Sequence, residues 1–301
     1  MTGLLIVDKP QGMTSHTVIN KLRRIFDQKT IGHGGTLDPM ATGVLPVFLG
    51  RGTKAAQYVT DGDKTYVARF RFGLSTDTQD ITGTTLQEST DYPTLEAIDA
   101  VLPRFRGEIL QLPPMYSAVQ VDGVRLYKLA REGREIEREA RPIVIHELSH
   151  AVVPEFGPRA EYEWDFRVTC SKGTFIRTLC ADIGDALGCG ACLSALRRVH
   201  TGQFSIEEAY TLEKLEELKS LGELASTVRS CDVLFMDLPA VGLTPANTER
   251  FNNGAPVYLV GKKGGRYRVY SQQKDFLGLG IIRETDKRPE LLVEKGMFDE
   301  E

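Results

Sequence analysis

Asp38 stands between a glycine-rich run and a proline, in Gly32-His33-Gly34-Gly35-Thr36-Leu37-Asp38-Pro39-Met40-Ala41-Thr42-Gly43. Four glycines and one proline in that stretch exclude a regular helix or a central strand, so it forms a shaped loop. A carboxylate there rides on constrained backbone that a substrate can approach closely. To act as a nucleophile it must be ionised and partly desolvated, which calls for a cation beside it. At ~4 Å and an effective dielectric of about 20, that cation favours the charged form by about 4 kcal/mol, before desolvation is subtracted. Composition does not say which Arg or Lys supplies it. Taken alone, the segment is better explained by an Asx-turn acid that closes the loop.

Other groupings have blander explanations. Cys189-Gly190-Ala191-Cys192 has CxxC spacing, but a structural zinc site needs four ligands and no second CxxC or HxxxH pair accompanies it. His16, His33, His146, His150 and His200 are scattered singly. Asp77-Thr78-Gln79-Asp80 lacks the twelve-residue pattern of a hand-type calcium loop. An acid pair ordering the surroundings of Arg177 suits it better. Ser171-Lys172-Gly173-Thr174 has the wrong order for a phosphate-binding loop. No metal site is expected.

The elements that must hold these residues can be sketched from periodicity. Leu4–Val7 predicts a short buried strand ending at the Lys9-Pro10-Gln11-Gly12 turn. Thr14 or Ser15 then caps a helix with Val18, Leu22, Ile25 and Phe26 on one face. Tyr66–Phe72 alternates, with Tyr66, Ala68, Phe70 and Phe72 on one side and Val67, Arg69 and Arg71 on the other. Glu161–Cys170 alternates likewise. A helix bearing Ile176, Leu179, Cys180, Ile183 and Leu187 follows and stops at Gly188, which puts Arg177 in its first turn. Residues 102–148 read as loop plus a helix over Leu126–Glu139, and a Glu-rich helix covers Leu212–Ser226. Beyond Leu238-Pro239, short strands at Pro256–Val260, Tyr267–Ser271, Gly278–Arg283 and Glu290–Glu294 form a small appended module. The one-sided strands predict an α+β fold, a mixed and mostly antiparallel sheet with flanking helices.

Bulk properties narrow the function classes. The 301 residues suit two domains of unequal size, and 41% hydrophobic with 26% charged residues is ordinary for a soluble globular chain. No apolar run approaches a membrane span, and the apolar N-terminal run is too short for a signal peptide, so the cytoplasm is the expected compartment. Five cysteines without an export signal favour reduced thiols. A net charge of −4 argues against coating nucleic acid by bulk electrostatics. Local basic surface is available from Gly261 to Lys274, where Lys262, Lys263, Arg266, Arg268 and Lys274 interleave with Tyr267 and Tyr270.

The Gly32–Gly43 string resembles the catalytic motif of the TruB-type tRNA pseudouridine synthases. Six further blocks resemble that family in the same order. They are Asp8-Lys9-Pro10-Gln11-Gly12, Asp63-Lys64-Thr65-Tyr66, Thr76-Asp77-Thr78-Gln79-Asp80, Pro113-Pro114-Met115-Tyr116-Ser117-Ala118, Cys170-Ser171-Lys172-Gly173-Thr174-Phe175-Ile176-Arg177 and Leu196-Arg197-Arg198. Phe276-Leu277-Gly278-Leu279-Gly280 resembles part of its C-terminal PUA-like domain. The resemblance implies the pseudouridine synthase fold over 1–235 and a small β-rich PUA-like domain over 236–301. It also implies a reaction that isomerises a T-loop uridine, position 55, of tRNA to pseudouridine. Asp38 matches the catalytic aspartate, Tyr66 the tyrosine that stacks on the target base, and Arg177 the arginine that pairs with the carboxylate. On the substrate side, Leu196 matches an apolar wall of the base pocket and His33 a residue that fills space vacated by flipped nucleotides. Lys64 and Lys9 lie in matching blocks, and Lys9 with Pro10 belongs to a motif that mainly supports the catalytic loop. Asp38 then adds to C6 of uracil or attacks C1′ of ribose; being an isomerisation, the reaction needs no cofactor. The expected partner is the tRNA T stem-loop, with a monomeric enzyme, no membrane and no obligate protein partner.

Two positions depart from the family. Gly34 stands where a threonine is usual, and Gln120 where a lysine is common; the second removes a phosphate contact. Against the isomerase stand two rivals. A glycosidase with a carboxylate nucleophile needs a second flanking carboxylate, and none is evident near Asp38 in sequence. A non-catalytic RNA-binding protein using the basic module alone leaves the Asp38, Tyr66 and Arg177 set unexplained.

Overall fold

The computed structural model describes residues 1–121, 123–285 and 288–297. In chain order the main elements are β1 (Gly3–Lys9), α1 (Ser15–Ile25), β2 (Ile31–His33), β3 (Thr42–Leu49), β4 (Lys64–Phe72), β5 (Gly107–Gln111), β6 (Arg141–His150), β7 (Glu163–Cys170), α2 (Ile176–Ala186), β8 (Ala191–Thr201) and α3 (Leu212–Ser220). The C-terminal part adds β9 (Ala240–Gly242), α4 (Pro245–Asn252), β10 (Val257–Tyr258), β11 (Gly265–Tyr270), β12 (Phe276–Arg283) and β13 (Glu290–Gly296). Two compact units emerge, one of Met1–Asp38, Leu45–Asp61 and Glu207–Glu301, the other of Pro39–Val44 and Gly62–Ile206.

The second unit is built on a sheet in the order β3-β8-β4-β7-β6-β5. β3 and β8 pair in parallel, at Arg197–Thr42 and Arg198–Gly43, and the β8–β4, β4–β7, β7–β6 and β6–β5 ladders are antiparallel. The fold is therefore α+β with a mixed, mostly antiparallel sheet, as the alternating strands predict. Tyr66, Ala68, Phe70 and Phe72 of β4 are all buried. The opposite face is less open than its charge suggests. Arg69 is buried too, donating from Nε and Nη2 to the two carboxylate oxygens of Asp165 at 2.7 and 2.9 Å and to the carbonyls of Phe156, Gly157 and Pro158. A bidentate pair with three further acceptors offsets the cost of burying the charge.

Three strands of this sheet were not expected. The 102–148 region contributes β5 and β6 to the sheet, and its helix covers only Leu126–Arg131, ending near Gly133 at φ +70°. A bulge between Ile145 and Glu147 shifts the inward positions of β6 from Ile143 and Ile145 to Leu148, which disguises the period of two. β8 hides in the same way, with irregularities between Leu193 and Ala195 and between Arg198 and His200.

In the first unit, α1 lays Val18, Ile19, Leu22 and Ile25 on Leu5 and Val7 of β1, Leu45, Val47 and Leu49 of β3, and Leu212 and Leu215 of α3. Each such side chain, fully buried, contributes roughly 1.5–3 kcal/mol. The predicted Glu-rich helix is α3, shorter than expected and followed by a 3-10 turn at Leu224–Thr227. The C-terminal strands form a sheet in the order β9-β11-β12-β13-β10 around Phe251, Val257, Val269 and Leu291. Among the described residues no helix is long and apolar enough to cross a membrane.

Candidate active site

The loop that carries Asp38 is fixed before and after it. At its start, β2 pairs antiparallel with β3 through Ile31–Leu49 and His33–Val47, and Gly34 N–H donates to Pro46 O at 2.9 Å. His33 is half-buried on this strand. A Cβ at Gly34 would lie 3.1 Å from the Phe48 ring and 3.4 Å from Val59. A side chain here therefore requires Phe48 to give by a few tenths of an ångström. Leu37, buried, has both main-chain groups bonded to the Ser15 hydroxyl. Asp38 follows, half-buried, and Pro39 after it is exposed. Lys9 has no exposed surface and donates Nζ–H to Pro10 O at 2.9 Å and Met13 O at 2.6 Å. It shapes the turn and presents no ammonium to a substrate.

Past Asp38 the chain enters β3. Gly43 has φ +102°, and a Cβ there would stand 2.2 Å from Arg198 O and 2.8 Å from Arg198 N. Only glycine lets β3 approach β8 this closely. Arg198 is itself buried and donates from Nε to Val44 O at 2.8 Å.

Within the second unit, Tyr66 is 7% exposed on β4, directly opposite Arg198 on β8 and Val168 on β7. Leu196 lies opposite Ala68, two residues along. Residues directly opposite share a face, so Leu196 is diagonal to Tyr66 at roughly 7–8 Å. A phenol ring and an aliphatic wall on one sheet face suit a flat apolar group. Lys64, at the start of β4, donates to Gly62 O at 2.6 Å and is largely buried.

Arg177 opens α2 and is 5% exposed. Its entry is held by Gln111 at the end of β5, which accepts from Phe175 N at 2.8 Å and donates to Phe175 O at 3.1 Å. The guanidinium donates to Thr78 O at 2.6 Å and to Tyr116 O at 2.8 Å, and its Nη1 lies 3.7 Å from Asp80 Oδ2. Asp80 is oriented for this. Its Oδ1 accepts from the Thr78 and Thr82 hydroxyls and Thr82 N–H, which leaves Oδ2 toward Arg177. The acid pair thus orders the surroundings of Arg177, as the loop reading anticipates. Asp77 takes the other half, accepting from Thr84 N–H at 2.7 Å and from the Tyr116 hydroxyl at 3.4 Å.

The rival groupings lose their chemical appeal. Burial pushes the Cys192 thiol up to about 12 and raises Cys189 as well, against the thiolate that metal or redox chemistry needs. Among the described residues no cluster of three or more His, Cys, Asp or Glu side chains is arranged to hold a metal ion. The basic run differs from its expected form. Tyr267 is buried, Tyr270 donates to Asp232 at 2.7 Å, and Arg266 and Arg268 are engaged with Glu294 and Leu238 O. The lysines Lys262, Lys263 and Lys274 are exposed.

Comparison with known proteins agrees along the chain. Residues 23–176 match the TruB family pseudouridylate synthase N-terminal domain, 177–235 the tRNA pseudouridylate synthase B C-terminal domain, and 239–293 the C-terminal domain of pseudouridine synthase II TruB. The tRNA pseudouridine synthase B of Francisella philomiragia is 42% identical over 303 aligned residues, covering 100% of this chain and 96% of its own. That of Chromobacterium violaceum is 44% identical over 284, covering 93% and 90%. A chain in the crystal structure of a Cbf5-Nop10-Gar1 complex superposes on 98% of this chain and 85% of its own, with a TM-score of 0.69 and 28% identity. The chain therefore belongs to the TruB family of pseudouridine synthases.

Proposed function

We propose that the protein isomerises the T-loop uridine at position 55 of tRNA to pseudouridine, with Asp38 as nucleophile. The observation that carries this reading is the full-length match to enzymes named tRNA pseudouridine synthase B. The Asp38 loop adds support, since its backbone is fixed at Leu37 and Gly43 in a way an incidental turn does not require.

The target uridine lies inside a folded loop and must be extruded, at a cost of a few kcal/mol. Stacking on Tyr66, walled by Leu196, returns about 1–3 kcal/mol. Arg177 serves as counter-cation to Asp38, held rigid by the Thr78 and Tyr116 carbonyls and by Asp80. Asp38 adds to C6 of uracil or to C1′ of ribose, the N1–C1′ bond breaks, the ring turns and C5 bonds to C1′. The bond to Asp38 then breaks to return the free carboxylate, and the C5 proton leaves to the Tyr66 oxygen or to solvent. His33 and Lys64 act on the substrate side, and Lys9 through the loop it braces. Residues 1–235 form the catalytic part and 236–301 a PUA-like module that adds affinity. The enzyme works as a cytoplasmic monomer without a cofactor.

The test is tritium release from tRNA carrying 5-tritiated uridine. Wild type releases label, and Asp38→Asn releases none while binding tRNA within about tenfold, or 1.4 kcal/mol. Free base in place of released label would indicate hydrolysis. Appreciable turnover by Asp38→Asn would refute the assignment of the nucleophile.

A further inference from the structure

A serine at the start of a helix ordinarily caps it. Ser15 does not, because Thr14 already does: its hydroxyl accepts from Thr17 N–H at 3.0 Å. Ser15, 2% exposed, turns instead to a residue far along the chain. Its Oγ accepts from Leu37 N–H at 3.0 Å and donates to Leu37 O at 3.2 Å. One hydroxyl thus satisfies both polar groups of the residue before Asp38, as a neighbouring strand would. The Leu37 side chain is buried as well, at 4% exposure, so this peptide is fixed through its backbone and its side chain.

We propose that Ser15 is a positioning residue, holding the Leu37 peptide so that the Asp38 carboxylate keeps its aim; this rests on Asp38 being the nucleophile. Without the hydroxyl, a buried N–H and C=O lose their partner. Such groups do not stay unpaired in the dry interior. The loop escapes by moving, and the residue that moves with it is Asp38. A misplacement of about 1 Å can cost on the order of a hundredfold in rate. Ser15 touches no substrate, so the loss falls on the chemical step.

Three variants, read by single-turnover rate, KM, Tm and amide exchange, decide it. Ser15→Ala is expected to slow single-turnover pseudouridine formation by about 10- to 100-fold, with KM for a T stem-loop within about threefold of wild type. Ser15→Thr, which keeps a hydroxyl, is expected to hold most of the rate. Thr14→Ala, which removes the helix cap, is expected to lower Tm while leaving the rate unchanged. Amide exchange at Leu37 reads the clamp without reference to activity: it is slow in wild type and Ser15→Thr and fast in Ser15→Ala. A wild-type rate in Ser15→Ala, a loss confined to KM, or an equal loss in Thr14→Ala overturns the proposal, as does unchanged exchange at Leu37. A wild-type protein inactive on every tRNA would instead sink the reading of function, and the exchange data would still judge the clamp.

Discussion

Gly43→Ala puts a single carbon where β3 meets β8, and its effect can be worked from the geometry. The new Cβ would stand 2.2 Å from Arg198 O, 2.8 Å from Arg198 N and 2.9 Å from Arg198 C, all of them backbone atoms that no side-chain rotation can remove. Ordinary contact begins near 3.4 Å. The strands must therefore part by roughly 1 Å or the ladder must slip. At φ +102° an alanine adds about 1–3 kcal/mol of backbone strain. Loss of the Arg198 Nε bond to Val44 O adds about 1 kcal/mol. Together these predict a destabilisation of about 2–4 kcal/mol, a fall in Tm of roughly 3–6 °C for a chain of this size. Rate should suffer more than stability. Asp38 lies five positions before Gly43 in the segment that leads into β3, and a shift of about 1 Å is worth on the order of a hundredfold in the chemical step. Urea unfolding gives the first quantity, and single-turnover tritium release at 25 °C, far below the transition, gives the second. A variant with the wild-type midpoint and the wild-type rate would refute the claim that close approach at Gly43 sets the loop.

Asp182 has its carboxyl raised from the ordinary 3.8 to about 6 by burial and then by Asp185, so its charged form destabilises the fold. That penalty is absent below the unfolded value and complete above about 6; Asp182→Asn should stabilise by about 1–2 kcal/mol at pH 8 and not at all near pH 3.5, as followed by urea unfolding at both pH values. Asp165→Asn strands the buried Arg69 charge and should cost about 3–5 kcal/mol in the same measurement, and a loss under 1 kcal/mol would mean that water reaches the pair. Replacing Lys262 and Lys263 with alanine should weaken tRNA binding and flatten its log–log salt dependence by about 1–2; an unchanged slope would remove this edge from the RNA contact.

How much of this was legible in the sequence depends on where the period of two survives. β4 and β7 keep it over their length, and their faces follow from the residues alone. β6 and β8 carry bulges that slide the inward positions by one, and an unaligned eye sees loop or nothing. Arg69 misleads for a different reason. Alternation assigns a charged residue to the solvent face, but a carboxylate nearly a hundred residues away and the 156–158 carbonyls let it be buried. Burial of a charge is decided by partners, and partners distant in the chain leave no local signal.

The site divides along the same line. Asp38 stood out through the resemblance of its glycine-rich segment to a family motif, since glycine and proline alone fit an Asx-turn acid as well. Asp77 and Asp80 lie nearly a hundred residues before Arg177, and only the fold sets Asp80 beside it. What escaped notice is the set of residues that act by holding others. Ser15 looked like one of two interchangeable caps, and Arg198 was only the end of a matching block with no role of its own. Each works through main-chain groups, Leu37 in one case and Val44 in the other, and any polar side chain can reach a main-chain group. Residues that touch a substrate are limited to a few chemistries and so stand out by type. Residues that aim them are selected by distance alone, and distance is what a sequence omits.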